Sequence, residues 1–187
     1  PADRYPFVVP VQADHFPHAS ILECTSSADL TANYPAWLER GIHIITPNKK
    51  ANTGTMEFYR SLRSISRATG RHYLYETTVG AGLPIINTLR DMVQTGDHVL
   101  KIEGVLSGTL SYIFNTFDGT TPFSEIVREA RAKGYTEPDP RDDLSGMDVV
   151  RRLVSLAREL GLEPVLDAVR IERLGPAPFG EGAPASF

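Results

Sequence analysis

"SILECTSSADLTANYPAWLERGIHIITPNKKANT", Ser20 to Thr53, is the stretch whose reading decides the fold. It opens on a short apolar run, Ile21 to Cys24, that closes on small hydroxyl residues, the pattern of a buried strand ending in a turn. "ADLTANYPAWLERG" follows as a helix with a fault at Pro35 and a stop at Gly41. "IHIITPNKKANT" then runs a β-branched strand, Ile42 to Ile45, into a polar loop. Strand, helix and strand at this spacing form a βαβ unit, which requires a parallel pair. In open parallel sheets, ligands gather at the carboxyl ends of the strands. "CTSS" (24–27) and the pair Lys49–Lys50 both fall at that edge.

Beyond Thr53 the alternation becomes less regular. "GTMEFYRSLRSISRATG" reads as a helix ending at Gly70, "RHYLYETTV" as a strand, and "GLPIINTLRDMVQTG" as a helix with Leu83, Ile86, Leu89 and Val93 at helical spacing. "DHVLKIEGVLSGT" is the longest strand-like run. "GTLSYIFNTFDG", "PFSEIVREARAKG" and "SGMDVVRRLVSLARELG" read as helices, and "EPVLDAVRIERLG" as a last strand. The expected class is α/β: a partial Rossmann-like βαβ dinucleotide-binding piece over 1–53, an α+β domain over 54–175, and a loop-like tail over 176–187.

Composition narrows the partners. The formal net charge is −4 and no basic run stands out, which argues against nucleic acid and anionic membranes. A single cysteine, Cys24, excludes an internal disulfide and a CxxC metal site, and fits a reducing compartment. No apolar run reaches the roughly eighteen residues of a membrane span. A cytoplasmic globular protein is the expectation.

Three segments carry candidate chemistry. "VGAGLPII" (79–86) places Gly80 and Gly82 between a strand and a helix, but the third glycine of a nucleotide fingerprint is Ile85. A specialised turn fits better. With Glu76 just upstream, exposed carbonyls would suit a hard, weakly charged cation. One of Lys49 and Lys50 can meet a phosphate, a ribose hydroxyl or a developing alkoxide, against the plainer reading of two solvated lysines. "GYTEPDPRDDLSGMDVVRR" (134–152) crowds five carboxylates between two amphipathic helices. It holds no histidine, so zinc is poorly supported. Ser145 can cap the following helix, and Asp148 suits its dipole. Positions 148, 152, 155 and 159 form a polar stripe opposite Val149, Leu153, Leu156 and Leu160. That reads as a solvent face with an Asp148–Arg152 pair. The rival reading is a pocket for a substrate ammonium group.

Taken in order, "CTSS", "TPNKKANT", "TVGAGLPII", "GVLSGTLSYIFN" and "GYTEPDPRDDLSGMDV" resemble homoserine dehydrogenase, especially the form fused to aspartokinase, over most of residues 20–172. The resemblance implies interconversion of L-homoserine and L-aspartate 4-semialdehyde with NADP or NAD, in threonine and methionine synthesis. It implies Glu137, Asp143 and Asp148 as substrate-binding carboxylates, and Lys49 as the lysine reaching cofactor and substrate. Thr25 and Ser26 correspond to nicotinamide-side contacts and Gly134 to a glycine near the cofactor. Glu76, with the carbonyls of Val79, Ala81 and Leu83, corresponds to a sodium-type monovalent cation site. A homodimer formed through the α+β domain, and a possible fused aspartokinase, are implied partners.

Two departures stand out. The family pattern places a proton-transferring lysine four residues after the aspartate, where this chain has Arg152. Arginine stays protonated, so its remaining catalytic role there is electrostatic. The family's glycine-rich phosphate loop has no counterpart before Ser20, and the returning segment of the cofactor domain is not found after the α+β part. The chain is therefore expected to be a piece of the enzyme with weak cofactor binding. The alternative is a non-catalytic remnant serving dimerisation or regulation.

Overall fold

In the computed structural model the described residues are 18–137 and 139–172, so the proline-rich start, Pro138 and the tail over 176–187 lie outside them. Three strands, β1 (Ala19–Leu22), β2 (Ile42–Ile45) and β3 (Tyr73–Leu74), form one parallel sheet in the order β1-β2-β3. The predicted βαβ unit is present. α1 (Ala28–Thr31) and α2 (Tyr34–Glu39) connect β1 to β2, with Pro35 in the first turn of α2, where its missing N–H costs nothing. α3 (Lys50–Thr53) and α4 (Met56–Thr69) connect β2 to β3. Gly70 ends α4 in the left-handed conformation, as the sequence requires of a C-terminal stop.

Ile42 and Ile44 point to one face of the sheet and are buried against Tyr34, Trp37, Leu38 and Leu62, each worth about 2 kcal/mol of apolar burial. Leu22, Ile45 and Leu74 lie in register across the sheet on exposed positions. Beyond β3, a 3-10 turn at Glu76–Thr78 leads to α5 (Ile85–Gln94), then α6 (Gly108–Thr116), α7 (Phe123–Ala132), α8 (Pro140–Leu144) and α9 (Met147–Glu159). Ile86, Leu89 and Leu156 extend the sheet's core, while Ile113, Ile126, Val127 and Ala130 form a second, smaller one between α6 and α7.

Four expectations are corrected. Residues 97–107 form no strand, and the expected last strand contains a 3-10 turn at Leu166–Ala168. A strand exists only where a neighbour accepts its backbone bonds, and among the described residues neither run finds one. The expected strand "RHYLYETTV" pairs only at Tyr73–Leu74 before the chain turns. The polar stripe of α9 faces inward: Asp148, Ser155 and Glu159 are buried, whereas Leu153 is exposed.

Glu159 accounts for that inversion. Its carboxylate pairs with Arg63 at 3.0 Å and Arg90 at 3.4 Å and accepts a hydrogen bond from the Tyr75 hydroxyl. A buried acid is tolerated when its partners come from several elements, here α4, α5 and the segment after β3.

The loop between the 3-10 turn and α5 depends on Gly80. Its φ is +77°, and a Cβ there would lie 2.6 Å from Ile85 Cγ1. Gly80→Ala is expected to cost about 2 kcal/mol, from left-handed strain plus overpacking. Urea denaturation monitored by circular dichroism measures it, and a loss below a few tenths of a kcal/mol would contradict this account.

Candidate functional site

The carboxyl ends of β1 and β2 are tied together by a buried polar cluster. Glu23 Oε2 accepts from Tyr34 Oη and from Thr46 Oγ1 at 3.0 Å, and its Oε1 accepts from Thr25 N at 2.7 Å. Burial pushes the Glu23 carboxyl up, but the hydrogen bonds from Thr25, Tyr34 and Thr46 outweigh it and hold it below the usual carboxylate range. Burial and the Glu23 contact push the Tyr34 phenol well above its ordinary value. Asn48 Nδ2 donates to Ser27 O at 2.9 Å, and Asn48 Oδ1 accepts from Lys50 N at 3.0 Å. One amide thus joins the two strand-end loops. Thr25 and Ser26 are exposed at this edge.

Lys49 leaves this platform at the N-cap of α3 and reaches Asp148 in the first turn of α9, Nζ to Oδ1 at 3.2 Å. Arg152, one turn further along, pairs with Asp148 Oδ2 at 2.5 Å and donates through Nη1 to the carbonyl of Leu106. The structure therefore brings together two motifs about a hundred residues apart, and the Asp148–Arg152 pair expected on a solvent face lies at a partly buried junction. Arg152 Nε has no hydrogen-bond partner.

Asp143, 5% exposed, sits at the end of the acidic turn and accepts from Glu137 N at 2.8 Å. Burial raises its carboxyl above the usual range, the Glu137 N–H opposes the shift, and the Glu137 and Asp148 carboxylates reinforce it. Glu137 itself is exposed. Asp139 is the N-cap of α8, with Pro140 following; its side chain is held by Arg141, which lowers its pKa to about 2. Gly146, at φ +77°, occupies the N-cap position of α9, and Ser145 Oγ accepts from Met147 N at 3.1 Å. Gly134, at φ +72°, turns the chain out of α7 with open space around it.

A raised carboxyl favours its protonated form in the folded state, so Asp143 withdraws stability as pH rises from the unfolded to the folded pKa. Asp143→Asn removes that buried charge while keeping an acceptor for Glu137 N. At pH 7 we expect its melting temperature to rise by roughly 2 °C. Calorimetry measures it, and a fall in melting temperature would contradict the assignment.

Glu76, Val79, Ala81 and Leu83 lie along the 3-10 turn and the loop that leads from it into α5. Glu76 Oε1 and Oε2 accept from Ile86 N at 2.7 Å and Asn87 N at 2.9 Å, so this carboxylate caps α5. Ala81 has φ +51°. Among the described residues, no cluster of three or more His, Cys, Asp or Glu could hold a metal ion, and no helix is long and apolar enough to cross a membrane.

Glu23, Tyr34, Thr46 and Asn48, with the Leu106 carbonyl, were not identified from sequence. Asn48 in the strand-end loop was the one with a local signal, an Asx residue shortly after the strand. The others meet only through the fold.

Residues 13–76 match the model described as the NAD binding domain of homoserine dehydrogenase, and residues 84–178 match that of homoserine dehydrogenase itself. A maize protein described as bifunctional aspartokinase/homoserine dehydrogenase 2, chloroplastic, is 55% identical over 177 residues, covering 94% of this chain and 19% of that protein. The chain thus spans about a fifth of the length of that relative. A crystal structure of a Candida auris protein described as of unknown function superposes with a TM-score of 0.80 at 42% identity, over 92% of this chain and 49% of that one. A hyperthermophilic archaeal homoserine dehydrogenase in complex with NADPH superposes with a TM-score of 0.68 at 25% identity, over 81% and 48%. With the second family model covering half of its residues, and with a parallel βαβ sheet whose edge lysine meets the acidic turn, the chain belongs to the homoserine dehydrogenase family.

Proposed function

We propose that these residues form the substrate-binding part of an NAD(P)-dependent homoserine dehydrogenase, interconverting L-homoserine and L-aspartate 4-semialdehyde. The observation that carries this reading is the Lys49–Asp148–Arg152 junction beside Asp143. Two cations there face three carboxylates, Glu137, Asp143 and Asp148, leaving a negative charge for the ammonium group of an amino-acid substrate. In the oxidation, the substrate's hydroxyl carbon loses a hydride and its oxygen loses a proton. A bound nicotinamide supplies the hydride acceptor. Thr25 and Ser26 at the sheet edge, with Gly134, are the groups we place at the nicotinamide side. In its neutral, deprotonated form Lys49 can take the proton, and as the ammonium it can return it in the reverse reduction, with Asp148 holding its amine in place and Arg152 stabilising the alkoxide.

The exposed hydroxyls of Thr25 and Ser26 at the strand end suit hydrogen bonding to the carboxamide at the cofactor's reactive end. For the monovalent cation, Glu76 with the Val79, Ala81 and Leu83 carbonyls is the proposed set. Its carboxylate oxygens retain lone pairs beside the two N–H donors, and one charge among carbonyls suits a singly charged ion. We assign residues 1–53 to the cofactor domain, 54–175 to a domain that pairs in a homodimer, and the reaction to threonine and methionine synthesis. The maize relative supports a fused aspartokinase in the complete gene product. A reducing compartment, whether the cytoplasm or the chloroplast of that relative, suits the exposed thiol of Cys24.

Homoserine-dependent reduction of NADP and of NAD at alkaline pH tests the reading. Turnover dependent on L-homoserine by the complete gene product is expected. Its absence, with homoserine binding intact, would favour the second reading of a non-catalytic module, to which Arg152 in place of lysine lends support.

A further inference from the structure

At the far end of α9, roughly 16 Å along the helix from Asp148, a concave site lies against α4. This cleft, about 330 Å³ in volume, is lined by Arg60, Arg63, Arg67 and Arg158, with Glu159 and Glu163. Arg60, Arg63 and Arg67 recur at three- and four-residue spacing, so they share one face of α4. Arg60 pairs with Glu163, and Arg63 shares Glu159 with Arg90. Both acids are therefore already engaged.

Two of the arginines are left without a counter-charge. Arg67 is exposed and pairs with no carboxylate among the described residues. Arg158 is 3% exposed, and its Nη1 and Nη2 donate to the carbonyls of Asn52 at 2.6 Å and Pro164 at 3.2 Å. Its guanidinium lies over the Tyr59 ring at 5.2 Å, and Nε has no acceptor. Carbonyls and a ring offer partial charges only, whereas a buried full charge is stabilised by a full opposite one. The free Arg67 fork, with those of Arg60 and Arg63 on the same helix face and the buried Arg158 charge behind them, suits the several oxygens of a phosphate group better than a single carboxylate.

We propose that the cleft between α4 and the end of α9 is a binding site for a compact phosphate-type anion. It lies apart from the proposed homoserine pocket and does not depend on it, because the test reads binding and not turnover. Inorganic pyrophosphate titrated calorimetrically into the complete gene product is expected to bind, and Arg67→Gln to weaken that binding at least tenfold. Lys49→Gln, at the other end of α9, should change it less than twofold, which separates the cleft from any phosphate contact near the sheet edge. Arg67 is exposed, so its replacement leaves the fold intact; Arg67→Lys, which retains charge but loses the fork, should also weaken binding. Absence of binding at millimolar pyrophosphate, or binding abolished by Lys49→Gln and indifferent to Arg67→Gln, would overturn the proposal.

Discussion

Asp148→Asn is expected to lower kcat/KM for homoserine in the complete gene product by a hundredfold to a thousandfold, roughly 3–4 kcal/mol of transition-state stabilisation. The carboxylate is the one group that touches both cations of the junction, Lys49 through Oδ1 and Arg152 through Oδ2. An amide keeps the shape but turns one acceptor into a donor facing a cation, and the two cations then repel each other with nothing between them. Lys49 and Arg152 each keep 21% of their side-chain surface in water and can be re-solvated, so the loss falls on substrate binding and the transition state more than on folding. The same substitution removes a negative charge from the first turn of α9, where the dipole contributes about 0.5 kcal/mol. Stability and catalysis should therefore part company. A small fall in melting temperature with a large rise in KM and fall in kcat supports a substrate role for Asp148. Should kcat/KM change less than fivefold while melting falls by many degrees, Asp148 is a helix-end ion pair and no more.

The sheet was readable because its signal is local. Ile21 and Ile42–Ile45 sit at strand spacing, Gly41 stops the helix between them, and Pro35 falls at the one helical turn that tolerates it. α4, α5, α7 and α9 declared themselves through apolar periodicity and glycine stops for the same reason. The sidedness of α9 was not readable. A stripe of Asp148, Ser155 and Glu159 opposite leucines has the look of a solvent face, and only Arg63, Arg90 and Tyr75, distant in sequence, make Glu159 a buried hub. The runs over 97–107 and 163–172 have strand composition, but β-propensity expresses itself only against a partner strand. At the candidate site, the residue types were legible from the motifs. Their meeting was not, because the Lys49–Asp148 contact joins the end of β2 to the start of α9 and nothing in either segment names the other.

Arg152→Lys is expected to raise kcat about a hundredfold, the lower range of what a positioned acid–base group contributes. In the native chain the guanidinium is locked by Asp148 Oδ2 and the Leu106 carbonyl, so its position is well defined. Its proton is not transferable, because a guanidinium stays protonated at any working pH. It can stabilise an alkoxide as that charge forms, but the proton must leave by another route, and Lys49 is the titratable cation within reach of the same carboxylate. The amine introduced by Arg152→Lys would reach Asp148 as a point charge, give up the planar fork and lose about 1 kcal/mol of hydrogen bonding to Leu106. In exchange it would place a second exchangeable proton at the junction. The pH profile is the discriminating readout. With Arg152 in place, Lys49→Gln should abolish turnover at every pH. In the Arg152→Lys background, the alkaline limb should shift and Lys49→Gln should leave measurable activity. An unchanged or lower kcat in Arg152→Lys would mean that the arginine's fixed charge matters more than proton transfer at that position, and that Lys49 alone, or water beside it, carries the proton.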